Sequence, residues 1–161
     1  MPFQKSRRPP AQPLSPDEAL LRLENYCAYR ERCPKEVRAK LAELGMRGAD
    51  AHQIFEVLRT DGFFDEARFA QAFAGGKFRV NHWGRVRIRM ELRQRDIAPA
   101  VIEEALAGID EEAYTALLER LLAQKLQQHV GDDKAREKAA ASLIRAGFEP
   151  ELVFRALNRK A

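Results

Sequence analysis

The sequence predicts an all-α protein: three tandem three-helix repeats forming an elongated, curved helical-repeat body. Three observations carry this expectation. Ala, Leu, Glu, Arg, Lys and Gln dominate, while β-branched residues are sparse and never alternate over the length of a strand. Pro and Gly fall at intervals of one helix, where starts and stops belong. A pattern also recurs at a fixed step: Leu41-x-x-x-Gly45-Met46, Leu92-x-x-x-Asp96-Ile97 and Leu143-x-x-x-Gly147-Phe148 lie 51 residues apart.

Five of the eight prolines lie within residues 1–16, so residues 1–14 are expected to form a disordered, basic, Pro-rich tail. Order begins at Ser15-Pro16-Asp17-Glu18, where Ser15 and Glu18 make a capping box and Pro16 suits the first helical position. The first repeat, 15–62, holds helices over 16–30, 34–44 and 49–60, with Pro34 opening the second and Gly45 and Gly62 acting as stops. The second repeat, 63–108, holds helices over 65–79, 83–95 and 99–107. Gly75-Gly76 is expected to break or loosen the chain ahead of the basic segment, Trp83 to open the middle helix, and Pro99 the last. The third repeat, 109–161, holds helices over 110–128, 133–146 and 150–159, with Gly147 as a stop and Pro150 as a start. Ile54 and Leu58 match Ile102 and Leu106, then Val153 and Leu157, as the buried face of each third helix.

Each repeat is also headed by an acidic pair suited to a helix N-terminus: Asp17-Glu18, Asp65-Glu66 and Asp110-Glu111. The apolar residue four places on (Leu21, Phe69, Tyr114) is expected to start the buried face. A three-helix unit with one apolar face cannot bury it alone, so neighbouring units should share a core.

The chain has 161 residues, 45% hydrophobic and 32% charged, which fits a soluble folded domain. No apolar stretch approaches the ~18 residues of a membrane span, and the basic N-terminus is followed by no apolar signal core. Cys27 and Cys33 form no C-x-x-C pair and are too few for a disulfide scaffold, so a reduced, cytoplasmic protein is expected. Net charge is +4, but Lys77–Arg95 alone holds seven basic residues against one acid, Glu91. That concentration points to an anionic partner.

Catalytic chemistry finds little support. His52, His82 and His129 lie on different elements without metal-ligand spacing. The cysteines fit small semi-buried positions rather than a redox or nucleophilic site. Gly75-Gly76-Lys77 lacks the upstream glycine and the Ser/Thr of a phosphate loop. The carboxylate pairs are adjacent in sequence and so diverge around a helix. The expectation is a non-enzyme with no catalytic residue, metal or cofactor. Binding is another matter. Arg85, Arg89 and Arg93 form one stripe at i, i+4, i+8, with Trp83, Val86 and Met90 on one side and Ile88 and Leu92 on the other. The helix is therefore expected to pack on two sides and present a cationic ridge. Lys77, Arg79, Trp83, Arg85, Arg87, Arg89, Arg93 and Arg95 are the candidate partner- or DNA-binding residues.

These residues also carry a resemblance. Gly62-Phe63-Phe64-Asp65-Glu66-x-Arg68-Phe69-Ala70, then Arg79, then Trp83-Gly84-x-x-x-Ile88-x-x-Glu91-Leu92 and Ile97, resembles the core signature of the bacterial RecX family. The likeness extends over about residues 16–158, and the three-unit repeat fits that family's architecture. Arg95-Asp96 departs from a common Lys/Arg-Gly pair. The resemblance implies a modulator of RecA, the ATP-dependent recombinase that polymerises on single-stranded DNA. Such a protein binds in the groove of the RecA filament, across adjacent subunits, and inhibits its ATPase, strand exchange and coprotease functions. The implied partners are the RecA filament and single-stranded DNA, directly or through the filament, with the protein acting as a monomer away from any membrane. A direct DNA-binding protein and a scaffold for an unrelated partner are the alternatives.

Overall fold

The structure, a computed structural model describing residues 12–160, starts its first helix at the expected capping box. The Glu18 amide donates to Ser15 Oγ and the Ser15 amide to Glu18 Oε2, both at 3.2 Å. The expected disordered tail lies largely outside the described residues. Among those, nine helices follow in order: α1 (Pro16–Tyr29), α2 (Pro34–Glu43), α3 (Gly48–Thr60), α4 (Glu66–Arg79), α5 (Arg85–Gln94), α6 (Pro99–Ala107), α7 (Glu111–Gln128), α8 (Ala135–Arg145) and α9 (Pro150–Arg159). There is no strand among the described residues, and no helix is long and apolar enough to cross a membrane.

The 51-residue repeat has a physical basis in how α2, α5 and α8 end. In each, the amide of Met46, Ile97 or Phe148 donates to the carbonyl of Leu41, Leu92 or Leu143, at 2.9, 3.2 and 3.1 Å. The preceding residue donates to Ala42, Arg93 or Ile144 at 3.0 Å each time. This is the Schellman closure, which needs a left-handed residue and brings two apolar side chains together beneath it. Gly45, Asp96 and Gly147 occupy that position with φ of 79°, 58° and 101°, and the paired apolar residues are all buried. Asp96 takes a conformation that Gly would adopt at less cost.

Helices pack in triplets that follow chain order: α1–α3, α4–α6 and α7–α9. All inter-unit hydrogen bonds and ion pairs among the described side chains join successive units, as in an elongated tandem array. The cores are less evenly shared. α1–α3 enclose one cluster, closed by Phe64, while α4–α9 share a second that only Cys33 of the first unit enters. A stack of Phe78, Tyr114 and Phe148 runs through the second core, with centroids 5.8 and 5.3 Å apart.

Three local expectations are corrected. Leu21 is 60% exposed, because Ser15 rather than Asp17 caps α1 and the buried residue four places on is Ala19. In the other units Asp65 and Asp110 are themselves the caps, accepting from the Arg68 and Ala113 amides at 2.7 and 2.8 Å, so Phe69 and Tyr114 are buried as expected. Gly75-Gly76 does not break the chain: α4 runs through both. Trp83 precedes α5 instead of opening it, since the cap is Gly84.

Candidate interaction surface

The N-terminus of α5 is fixed by the third unit. Gly84 and Val86 amides donate to the carbonyls of Ala146 and Gly147, both at 2.9 Å, and the Arg85 amide donates to Tyr114 Oη at 3.1 Å. These bonds satisfy donors that a helix start leaves open. The approach is close enough that a Cβ on Gly84 would stand 2.3 Å from the Gly147 and Phe148 backbone. Only glycine permits this contact.

The Arg85 side chain completes the joint. It pairs with Glu149 at 2.8 Å and Glu111 at 2.5 Å, and its guanidinium lies 3.7 Å from the Tyr114 ring centroid. Burial works against its charge, yet the hydrogen bonds to Glu111 and Glu149 outweigh that and raise its pKa. Tyr114 Oη donates to Glu149 Oε1. Burial, reinforced by that bond, pushes the phenol well above its ordinary range. By contrast, the joint between the first two units buries Cys33 and Phe64, but its polar contacts are exposed: Arg68 to Glu31 at 2.7 Å and Lys35 to the Gln94 carbonyl at 2.8 Å. Exposed pairs of this kind contribute little.

The eight candidate residues therefore separate. Arg85 is a joint residue, with a side chain only 15% exposed. Arg89 pairs with Glu103 at 2.7 Å, which raises the arginine and lowers the carboxylate pKa, but it keeps an exposed edge. Arg95 pairs with Glu91 one turn back. Arg93 is exposed and enters no ion pair among the described residues. Lys77, Trp83 and Arg87 come together on the opposite side of α5: Arg87 lies 4.0 Å and Lys77 Nζ 4.8 Å from the Trp83 ring. Phe73 meets Trp83 edge-on and carries Arg95 at 4.6 Å on its own ring. Arg79 stands apart and lines a groove between α4 and α7.

Val86 and Met90 are not packed as expected. They are exposed, because α5 buries only the Ile88–Leu92 side. The outer face of α5 is thus Val86, Met90 and Arg93, bordered by Arg87 and Arg89. Apolar and arginine side chains mixed on an accessible strip are typical of protein interfaces. The acids that neutralise Arg85 and Arg89 come from α6, α7 and the α8–α9 turn, so no local i, i+4 pattern revealed them. Glu149 is the N-cap residue of α9 and Glu111 lies in the first turn of α7, both at the joint with α5.

A family model described as RecX, second three-helix domain, matches residues 65–106, which span α4 to α6. The regulatory protein RecX of Chlorobium phaeobacteroides is 30% identical over 131 residues, covering 81% of this chain and 85% of that one. The regulatory protein RecX of Prosthecochloris aestuarii is 29% identical over 143 residues, covering 88% and 92%. The crystal structure of RecX from Lactobacillus salivarius has a TM-score of 0.81 over 89% of this chain and 95% of that one; at 18% identity the likeness is one of fold.

Proposed function

Since this chain belongs to the RecX family of regulatory proteins, we propose that it regulates RecA by binding the RecA–single-stranded DNA filament, without catalysing a reaction itself. It lies in the filament groove as a monomer, spans adjacent subunits, and inhibits ATPase, strand exchange and coprotease activity. The observation that carries this reading is the outer face of α5. Val86 and Met90 supply apolar area there, and Arg93 an exposed cation that enters no ion pair among the described residues. Arg87 and Arg89 extend the charge on either side. The joint to the third unit holds this helix rigidly, which reduces the ordering cost of binding. Bridging two subunits fixes their relative geometry and hinders the motions of the ATP site between them.

The test uses filaments preassembled on single-stranded DNA, with this protein added well below one copy per RecA. The ATPase rate is expected to fall at that ratio. A rate that falls only as free RecA is titrated would mean sequestration of monomers, and an unchanged rate would remove the proposal.

One observation favours direct contact with DNA as a second reading: Lys77 and Arg87 flank the Trp83 ring, a combination that suits a base and its phosphates. With two or three phosphate contacts, the log–log dependence of affinity on salt should have a slope of about −1.4 to −2.1 on single strands. Binding to RecA that survives nuclease treatment would favour the filament protein as the primary target.

A further inference from the structure

The groove between α4 and α7 is a different kind of surface. Two adjoining cavities of about 310 and 430 Å³ share Phe78, Arg79 and Ala113. Their floor is apolar, with Phe78, Leu117 and Ile109, while Gly75 and the exposed Ala113 and Ala116 keep the walls low. Arg79, His82 and Arg120 line the first cavity, and Arg79 the second as well. Neither arginine enters an ion pair among the described residues, so both charges are open to a partner. Asp110, whose carboxylate accepts from the Ala113 amide, lines the second cavity with Arg79.

Gly75 explains how Arg79 comes to lie there. A Cβ at this position would stand 2.8 Å from one guanidinium nitrogen of Arg79 and 2.9 Å from the other. The glycine, unfavourable in mid-helix, leaves room for the guanidinium to lie back along α4, where it walls both cavities. The charge thereby lies over an apolar floor.

We propose that this groove docks an acidic, apolar segment of a partner protein. Its carboxylates meet Arg79 and Arg120, and its aliphatic side chains cover Ala113, Ala116 and the open edges of Phe78 and Leu117. Two arginines against one carboxylate, Asp110, among the lining residues select an acidic segment by charge complementarity. A nucleic acid fits less well: Phe78 is 9% exposed and stacked on Tyr114, so it offers no free ring to a base. The inference does not rest on the RecA reading or on the α5 face.

The probe is a fluorescein-labelled twelve-residue peptide alternating Asp or Glu with Leu, titrated with the full chain and followed by anisotropy. Micromolar binding is expected, weakened at least tenfold by Arg79→Glu or Arg120→Glu and unchanged by Arg93→Glu on α5. Ala116→Trp, an exposed position that fills the groove without altering charge, should abolish binding. Gly75→Ala should weaken it by displacing a guanidinium that is still present, without lowering the melting temperature. Equal binding of the Asn/Gln version of the peptide would overturn the proposal, as would a twelve-nucleotide single strand that displaces the peptide from wild type but not from Arg79→Glu. Indifference to all four groove variants would do the same.

Discussion

Gly84→Ala and Gly147→Ala are each expected to cost the fold about 3 kcal/mol or more, seen as a fall in melting temperature of roughly 6–12 °C. At position 84 the added Cβ meets backbone alone, the Gly147 carbonyl group and the Phe148 nitrogen at 2.3 Å, and no side chain can move aside to admit it. At position 147 it meets Arg87 Cβ at 2.3 Å and the Arg87 nitrogen at 2.7 Å, and φ of 101° is itself strained for any L side chain. Relief requires the α8–α9 turn to lift from α5, which loses the two backbone bonds from Gly84 and Val86 and disturbs the Arg85–Glu149 pair. Gly76→Ala is the control. Its Cβ meets nothing within 4 Å and its helix is regular, so it should stabilise by about 0.5–1 kcal/mol. Thermal melts of the three variants give the answer. A Gly84→Ala protein that melts with the wild type would mean the turn is not seated on α5.

The contrast between these glycines also marks what could be read from the sequence. Helix starts were legible because they depend on local chemistry, as with Ser15, Asp65, Asp110 and the prolines. The repeat was legible because Schellman closure fixes a spacing of four residues from a buried Leu to a left-handed residue. Gly75-Gly76 was misread because two glycines have the same propensity whether they loosen a helix or make space for a guanidinium. Gly84 and Gly147 lie more than 60 positions apart, and nothing local shows that they touch. The arginine stripe failed for the same reason. Helical spacing correctly placed Arg85, Arg89 and Arg93 on one side, but their partners arrive from other helices. Without those, the exposed strip of Val86 and Met90 could not be told from a packed one.

That division predicts two different phenotypes within one stripe of α5. Arg85→Ala should lower stability by about 2–3 kcal/mol, because it removes charged hydrogen bonds from a partly buried Glu149 and leaves its carboxylate beside the Tyr114 ring. The bond to Glu111 adds little to this, since that carboxylate is 79% exposed. Arg93→Glu should leave stability within about 0.5 kcal/mol, since Arg93 is exposed and enters no ion pair among the described residues. Yet it should raise the concentration needed to inhibit the RecA filament ATPase roughly tenfold, equivalent to about 1.4 kcal/mol of binding. Salt separates the two further. The Arg85 effect on melting should persist at high ionic strength, because a partly buried pair is screened weakly, while the difference between Arg93→Glu and wild type should shrink. If Arg85→Ala leaves the melt unchanged and loses inhibition to the same extent as Arg93→Glu, then Arg85 faces the partner and its pairs with Glu111 and Glu149 do not hold the joint. If both variants melt early, α5 is structural along its whole length and the regulatory surface lies on another helix.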